Sequence, residues 1–122
     1  DYFNFQKTGT ELWAIYQSGS NGVSSMRYSA GTWSTGATTL TAEGSPNYLS
    51  ALFLGGNLHV AYQVNASNTC LLKRYDGTSW SQLGSSLTCG NPTIVLVGGT
   101  IYSAFRDKDP AYSDLLSAAY FQ

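Results

Sequence analysis

The residues best suited to chemistry in this chain form two matched sets. Arg27, Tyr28 and Trp33 make the first, and Arg74, Tyr75 and Trp80 stand 47 positions further on, in the same order. A flat aromatic ring offers its face to the C–H groups of a sugar, and a guanidinium presents a planar fork of donors to adjacent hydroxyls. Arrayed weak sites of this kind gain strength on a multivalent surface. Trp33 and Trp80 suit either of two roles, a sugar platform or a lock between neighbouring structural units. The turn-forming residues Glu43, Asn47 and Asn91 add polar groups at one end of the array, and Asn21, Asn65, Asn68, Asp109 and Tyr112 at the other.

Catalysis is poorly supplied. His59 is the only histidine, and it occupies a place held elsewhere in the chain by Trp13 and Tyr102, so it reads as packing. The seven carboxylates (Asp1, Glu11, Glu43, Asp76, Asp107, Asp109, Asp114) contain one close pair, Asp107 and Asp109, in a loop with its own Arg106 and Lys108. A solvated turn accounts for that pair. One histidine and two cysteines make a poor metal-ligand set. No enzyme activity, metal or cofactor is expected.

The elements that must position these residues announce themselves by repetition. Leu12-Trp13-Ala14-Ile15-Tyr16-Gln17 returns as Leu58-His59-Val60-Ala61-Tyr62-Gln63 and again as Ile101-Tyr102-Ser103-Ala104-Phe105-Arg106. Pro46 matches Pro92, and Gly9 matches Gly55 and Gly98. A period of 40 to 50 residues made of short strands is the signature of β-propeller blades, which cannot bury their faces singly. The inner strands (a) are expected at Tyr2–Thr8, Ser50–Leu54 and Thr93–Val97, and strand b is the Leu-x-x-x-Tyr-Gln element. Strand c is expected at Val23–Tyr28, Thr69–Tyr75 and Leu115–Phe121, and strand d opens with Trp33 or Trp80. The expectation is an all-β, single propeller-repeat domain over 1–122, with blades at about 2–41, 48–88 and 93–122. The third lacks its outer strand, giving two and three-quarter four-stranded blades. Asn4, Gln6 and Lys7 make the first inner strand more polar than its counterparts, which suits a wet central channel or a protected edge.

The hairpin Arg74-Tyr75-Asp76-Gly77-Thr78-Ser79-Trp80 and the run Val60-Ala61-Tyr62-Gln63 resemble the six-bladed fucose-binding lectins of fungi and soil bacteria. Blades of that family carry an Asp-Gly-x-x-Trp turn preceded by an aromatic residue, and some members complete the ring by trimerising two-bladed chains. The resemblance implies a propeller and a lectin. The family's sugar-binding arginine on strand b would fall at Trp13, His59 or Tyr102, and its glutamate on strand c near Ser25 or Leu72. Neither is matched, so Trp33 and Trp80 alone carry over.

Composition excludes other partners. Charged residues are 11% of the chain and the net charge is −1, which rules against electrostatic capture of nucleic acid. No apolar run is long enough for a membrane helix. A start at Asp1 reads as a mature, processed or excised chain. Cys70 and Cys89 fall on neighbouring expected strands, as a disulfide or as two small buried thiols. With the glycosylation sequon Asn65-Ala66-Ser67 they favour a secreted protein. Three blades cannot close a ring, so copies are expected to join, a six-bladed homodimer first among the arrangements. The function expected is a glycan-binding lectin; the alternatives are a fragment of a larger propeller glycosidase and a protein-interaction scaffold.

Overall fold

The computed structural model describes residues 2–65, 67–108, 111 and 116–120. Asp1, Asp109, Tyr112 and Asp114, and the ends Leu115 and Phe121 of the third strand c, lie outside them. The described chain is all-β, with eleven strands and no helix. No helix long and apolar enough to cross a membrane is present among the described residues.

The first repeat is an antiparallel meander of β1 (Phe3–Thr8), β2 (Glu11–Ser18), β3 (Gly22–Ser29) and β4 (Thr32–Thr35), with the two-residue β5 (Leu40–Thr41) pairing back onto β3. The second repeat runs through β6 (Pro46–Leu54), β7 (Asn57–Val64) and β8 (Thr69–Tyr75) into β9 (Trp80–Val97). The third begins in the same β9 and continues as β10 (Thr100–Asp107) and β11 (Leu116–Tyr120). Apolar residues alternate along β2 and fill β7, as strands covered on one face and on both faces require. Gly55-Gly56 and Gly98-Gly99 turn the equivalent hairpins β6–β7 and β9–β10 with φ of +59/+80 and +56/+81, the paired left-handed geometry of a two-residue type I′ loop.

Two details differ from the sequence expectation. The outer strand of the first repeat is broken into β4 and β5 around Gly36. The outer strand of the second repeat and the inner strand of the third are one continuous element, β9, which pairs with β8 up to Thr88 and with β10 from Cys89 onward. Bulges opposite Cys70–Leu72 and Ala104–Arg106 carry it through the change of partner.

Cys70 and Cys89 sit at that change and form a disulfide across a Cα separation of 5.6 Å, packed against Phe105 and Leu87. It closes a loop of 19 residues. Replacing both cysteines by serine is expected to lower unfolding free energy by about 3 kcal/mol, read as a lower urea midpoint. An unchanged midpoint would show the crosslink to be mechanically idle.

Directly opposed residues of antiparallel strands share a face, so register assigns every side chain to one side of its repeat. One face of the first repeat (Trp13, Ile15, Val23) packs on one face of the second (Leu49, Ala51, Leu58, Val60, Tyr62, Leu71). The opposite face of the second repeat (Leu52, Ala61, Leu72) packs on Ile94 and Ile101 of the third. Polar ties pin the stack: Ile94 N–H donates to Ser50 Oγ at 3.0 Å, and Trp80 Nε1 donates to the Thr38 carbonyl at 2.7 Å.

The middle repeat is therefore covered on both sides, and the outer two on one side each. Phe3, Phe5, Leu12, Tyr28 and Trp33 share the uncovered face of the first repeat and are all exposed, Phe3 by 66%. Val95, Val97 and Tyr102 share the uncovered face of the third.

Candidate inter-repeat binding pockets

Across the β2–β3 ladder Trp13 stands opposite Arg27, and across the β7–β8 ladder His59 stands opposite Arg74. Each pair faces the next repeat, and each lines a cavity. The first, of about 280 Å³, lies between the first and second repeats and is closed by Phe53, Tyr75 and Asp76. The second, of about 340 Å³, lies between the second and third and is closed by Leu54, Thr100 and Ile101. Ligand sites run from roughly 300 Å³ upward, so each holds about one sugar-sized ring.

The two cavities are built from repeat-equivalent positions, with one exchange of volume. In the first, the large Trp13 ring lies over Gly36, where a Cβ would come within 2.5 Å of its Cζ3. In the second, the smaller His59 ring is matched by Leu83. A bulky ring with no side chain beneath it, and a smaller ring over a leucine, keep both cavities open.

Both arginines share an unusual feature. The Nε atoms of Arg27 and Arg74 are buried and meet no acceptor among the described residues. A buried donor without a partner costs roughly 1–3 kcal/mol, and the same omission occurs at two equivalent sites. Arg27 Nη1 lies 3.7 Å from Glu11 Oε1, whose other oxygen accepts Trp13 Nε1–H at 3.1 Å.

The aromatic partners of the two sets behave differently. Tyr75 and Trp80 are in ring contact at 5.3 Å, and so are Tyr28 and Trp33. Trp80 is half-buried on the first repeat and hydrogen-bonded to it, so it packs between repeats. Trp33, on the uncovered face of the first repeat, is 48% exposed. Of the two tyrosines, Tyr75 lines the first cavity.

Glu43 stands apart from both cavities. One of its oxygens pairs with Lys73 Nζ at 2.6 Å and the other accepts the Tyr62 hydroxyl at 2.7 Å. Burial alone would raise its carboxyl, but those two hydrogen bonds hold it below the ordinary value, and burial beside Glu43 pushes the Tyr62 phenol far up. Asn91 donates its N–H to Gln63 Oε1 at 3.2 Å and lines a third cleft with Tyr2, Tyr48 and Pro92 at the start of the inner strands. Asn47 lies on β6 opposite Gln63. Asn65 is exposed, as a sequon asparagine must be, and its N–H donates to Ser45 O. No group of three metal-ligating side chains occurs among the described residues.

Sequence reasoning singled out the arginines but not their neighbours Trp13, Phe53, Asn57 and Asp76. The ladder register brings Trp13 and His59 onto the arginines, and register is set by turn geometry that composition does not reveal. Asp76 is occupied in its own turn: its Oδ1 accepts the N–H groups of Ser79 and Thr78 at 2.8 and 2.9 Å, which hold its carboxyl below the ordinary range.

His59 is nearly fully buried and donates Nδ1–H to the Asn57 carbonyl at 3.0 Å. Burial lowers its affinity for a proton, and the Arg74 charge acts the same way, outweighing the Asn57 hydrogen bond. A histidine whose folded value lies below its unfolded one contributes stability above about pH 6.5 that is lost as pH falls. The urea midpoint is expected to decline from pH 7 to pH 5, and His59→Gln to flatten that decline; an equal slope in the variant would assign it to other groups.

No family model matches this chain, and no curated protein sequence does either.

Proposed function

We propose that this chain is a carbohydrate-binding lectin of β-propeller blades, whose sugar sites are the two equivalent inter-repeat cavities. The carrying observation is the recurrence, at positions one repeat apart, of an arginine lining a cavity of sugar size. A sugar hydroxyl or ring oxygen is an acceptor of the right size and polarity for a guanidinium N–H. Trp13 and Tyr75 give the first cavity aromatic surface for C–H contact. The function proposed is binding without turnover.

Multivalency completes the reading. The uncovered face of the first repeat corresponds, residue for residue, to the face of the second that packs inward: Leu12 to Leu58, Tyr28 to Tyr75, Trp33 to Trp80. The uncovered face of the third corresponds to the face of the second that Ile94 and Ile101 cover. Copies stacked head to tail would join these two faces as the internal repeats are joined, and two copies would close a six-bladed ring. The disulfide and the exposed Asn65 sequon fit a secreted protein.

The test is a glycan array probed with the unmodified protein and with Arg27→Gln and Arg74→Gln. Signal on defined sugars, reduced at least tenfold in one or both variants, is the expected result. Silence on every glycan, or signal that neither substitution alters, would sink the proposal.

A further inference from the structure

We infer that the second inter-repeat cavity takes a carboxylate-bearing sugar of the uronic acid class, whereas the first takes a neutral ring. This rests on the sugar-binding reading and adds the charge of the ligand. The two cavities share an arginine but differ in its counter-charge. In the first, Glu11 lies within ion-pair distance of Arg27. The residue at the same place in the second repeat, immediately before Leu58, the counterpart of Leu12, is Asn57, a neutral amide.

Arg74 accordingly has no ion-pair partner among the described residues. None of the described elements around it supplies a paired counter-charge. On its own strand Lys73 faces the other way and is held by Glu43. Asp76 feels the Arg74 charge across the turn, but makes no ion pair with it and has Oδ1 committed to two backbone N–H groups. On β7, His59 is held neutral by burial. β9 carries no charged residue from Trp80 to Val97, and β10 brings only Thr100 and Ile101 to the cavity.

The result is one uncompensated guanidinium walled by Leu54, Leu72, Leu83 and Ile101. Apolar walls strengthen a charge-assisted hydrogen bond, and a carboxylate docked on the terminal Nη edge takes two parallel N–H donors at once. A neutral hydroxyl can accept from one of these N–H groups but leaves the charge uncancelled. In the first cavity the Glu11 carboxylate, 3.7 Å from Arg27, opposes the approach of an anionic ring.

The experiment adds glucuronic acid to the protein and follows the arginine Nε–H resonances by NMR. Glucose and the methyl ester of glucuronic acid serve as neutral probes and inorganic sulfate as a bare anion. The expected result is a saturable shift of the Arg74 Nε–H with glucuronic acid, at least tenfold weaker binding of the ester, and an Arg27 resonance that glucuronic acid leaves in place. Arg74→Lys keeps the charge but removes the fork, and should weaken glucuronic acid at least tenfold. Should the Arg74 variant fail to fold, the resonance in the unmodified protein still decides. Equal binding of glucose or ester, or sulfate binding as tightly as glucuronic acid, would overturn the inference and leave the lectin reading intact. If no sugar of either charge binds, both fall.

Discussion

Aspartate in place of Val95 or Phe5 is expected to reduce the protein to a single chain of 13.1 kDa without unfolding it. Both side chains are more than half exposed within the chain, 53% and 54%, so neither supports the fold of one copy. They lie on opposite ends of the stack, Phe5 beside Phe3 on the face that also carries Tyr28 and Trp33, Val95 beside Val97 and Tyr102. If copies meet head to tail, each substitution buries a carboxylate against apolar side chains with no cation to receive it. Such a charge costs several kcal/mol, and each 1.4 kcal/mol is tenfold in affinity, so association should weaken by roughly 100-fold or more. Size-exclusion chromatography with light scattering reads the mass, and thermal melting checks that the monomer remains folded. Both variants keeping the parental mass would place the contact elsewhere.

Glu43→Gln is expected to be among the most destabilising single changes at a residue that is itself half exposed. Lys73 runs through the interior, its side chain 11% exposed, and ends on Glu43. Tyr62 is fully buried and donates its only hydroxyl to the same carboxylate. An amide in that place leaves the ammonium without a counter-charge and weakens the Tyr62 bond. Removing one partner of a buried pair costs about 3–5 kcal/mol; half exposure of Glu43 admits water and brings the expected loss nearer 2–3 kcal/mol. The double variant Glu43→Gln/Lys73→Met, which removes the stranded charge as well, should recover most of it. Because the Glu43 carboxyl is held below its ordinary value, the same contribution is present above about pH 4.5 and is lost as pH falls below it. An unfolding free energy from urea melts within about 0.5 kcal/mol of the parent for Glu43→Gln would contradict this account.

The repeat was legible because it is written in side-chain types: Leu12 with Leu58, Arg27 with Arg74, Trp33 with Trp80. Strand positions followed from it, since turn residues such as Gly55-Gly56 and Asp76-Gly77 stand where the chain reverses. The continuity of β9 was not legible. A bulge at Gly84–Ser86 and another at Asn91 let one strand change partners, and neither leaves a signature distinct from an ordinary turn. Site residues divide in the same way. The arginines stand out by their spacing, but Trp13 joins Arg27 only through ladder register, and Gly36 matters only because the Trp13 ring lies against it. Glu43 looked like a loop carboxylate free to meet a ligand; its partners Tyr62 and Lys73 lie 19 and 30 residues away, a relation composition cannot encode. For the cysteines the structure chose between a disulfide and two thiols by setting their strands side by side.

The proposed assembly rests on the two uncovered end faces, which a sister chain would cover as the repeats within one chain cover each other. The uncovered faces at the two ends are the two halves of the contact that buries Leu58, Val60 and Tyr62 on one side and Leu52, Ala61 and Leu72 on the other. Sedimentation equilibrium of the unmodified protein, across a hundredfold range of concentration at neutral pH, measures whether sister chains cover them. The account predicts a mass that is a multiple of 13.1 kDa, twice that value for a six-bladed ring, falling toward one chain only at high dilution. A compact species of 13.1 kDa at every concentration would contradict it.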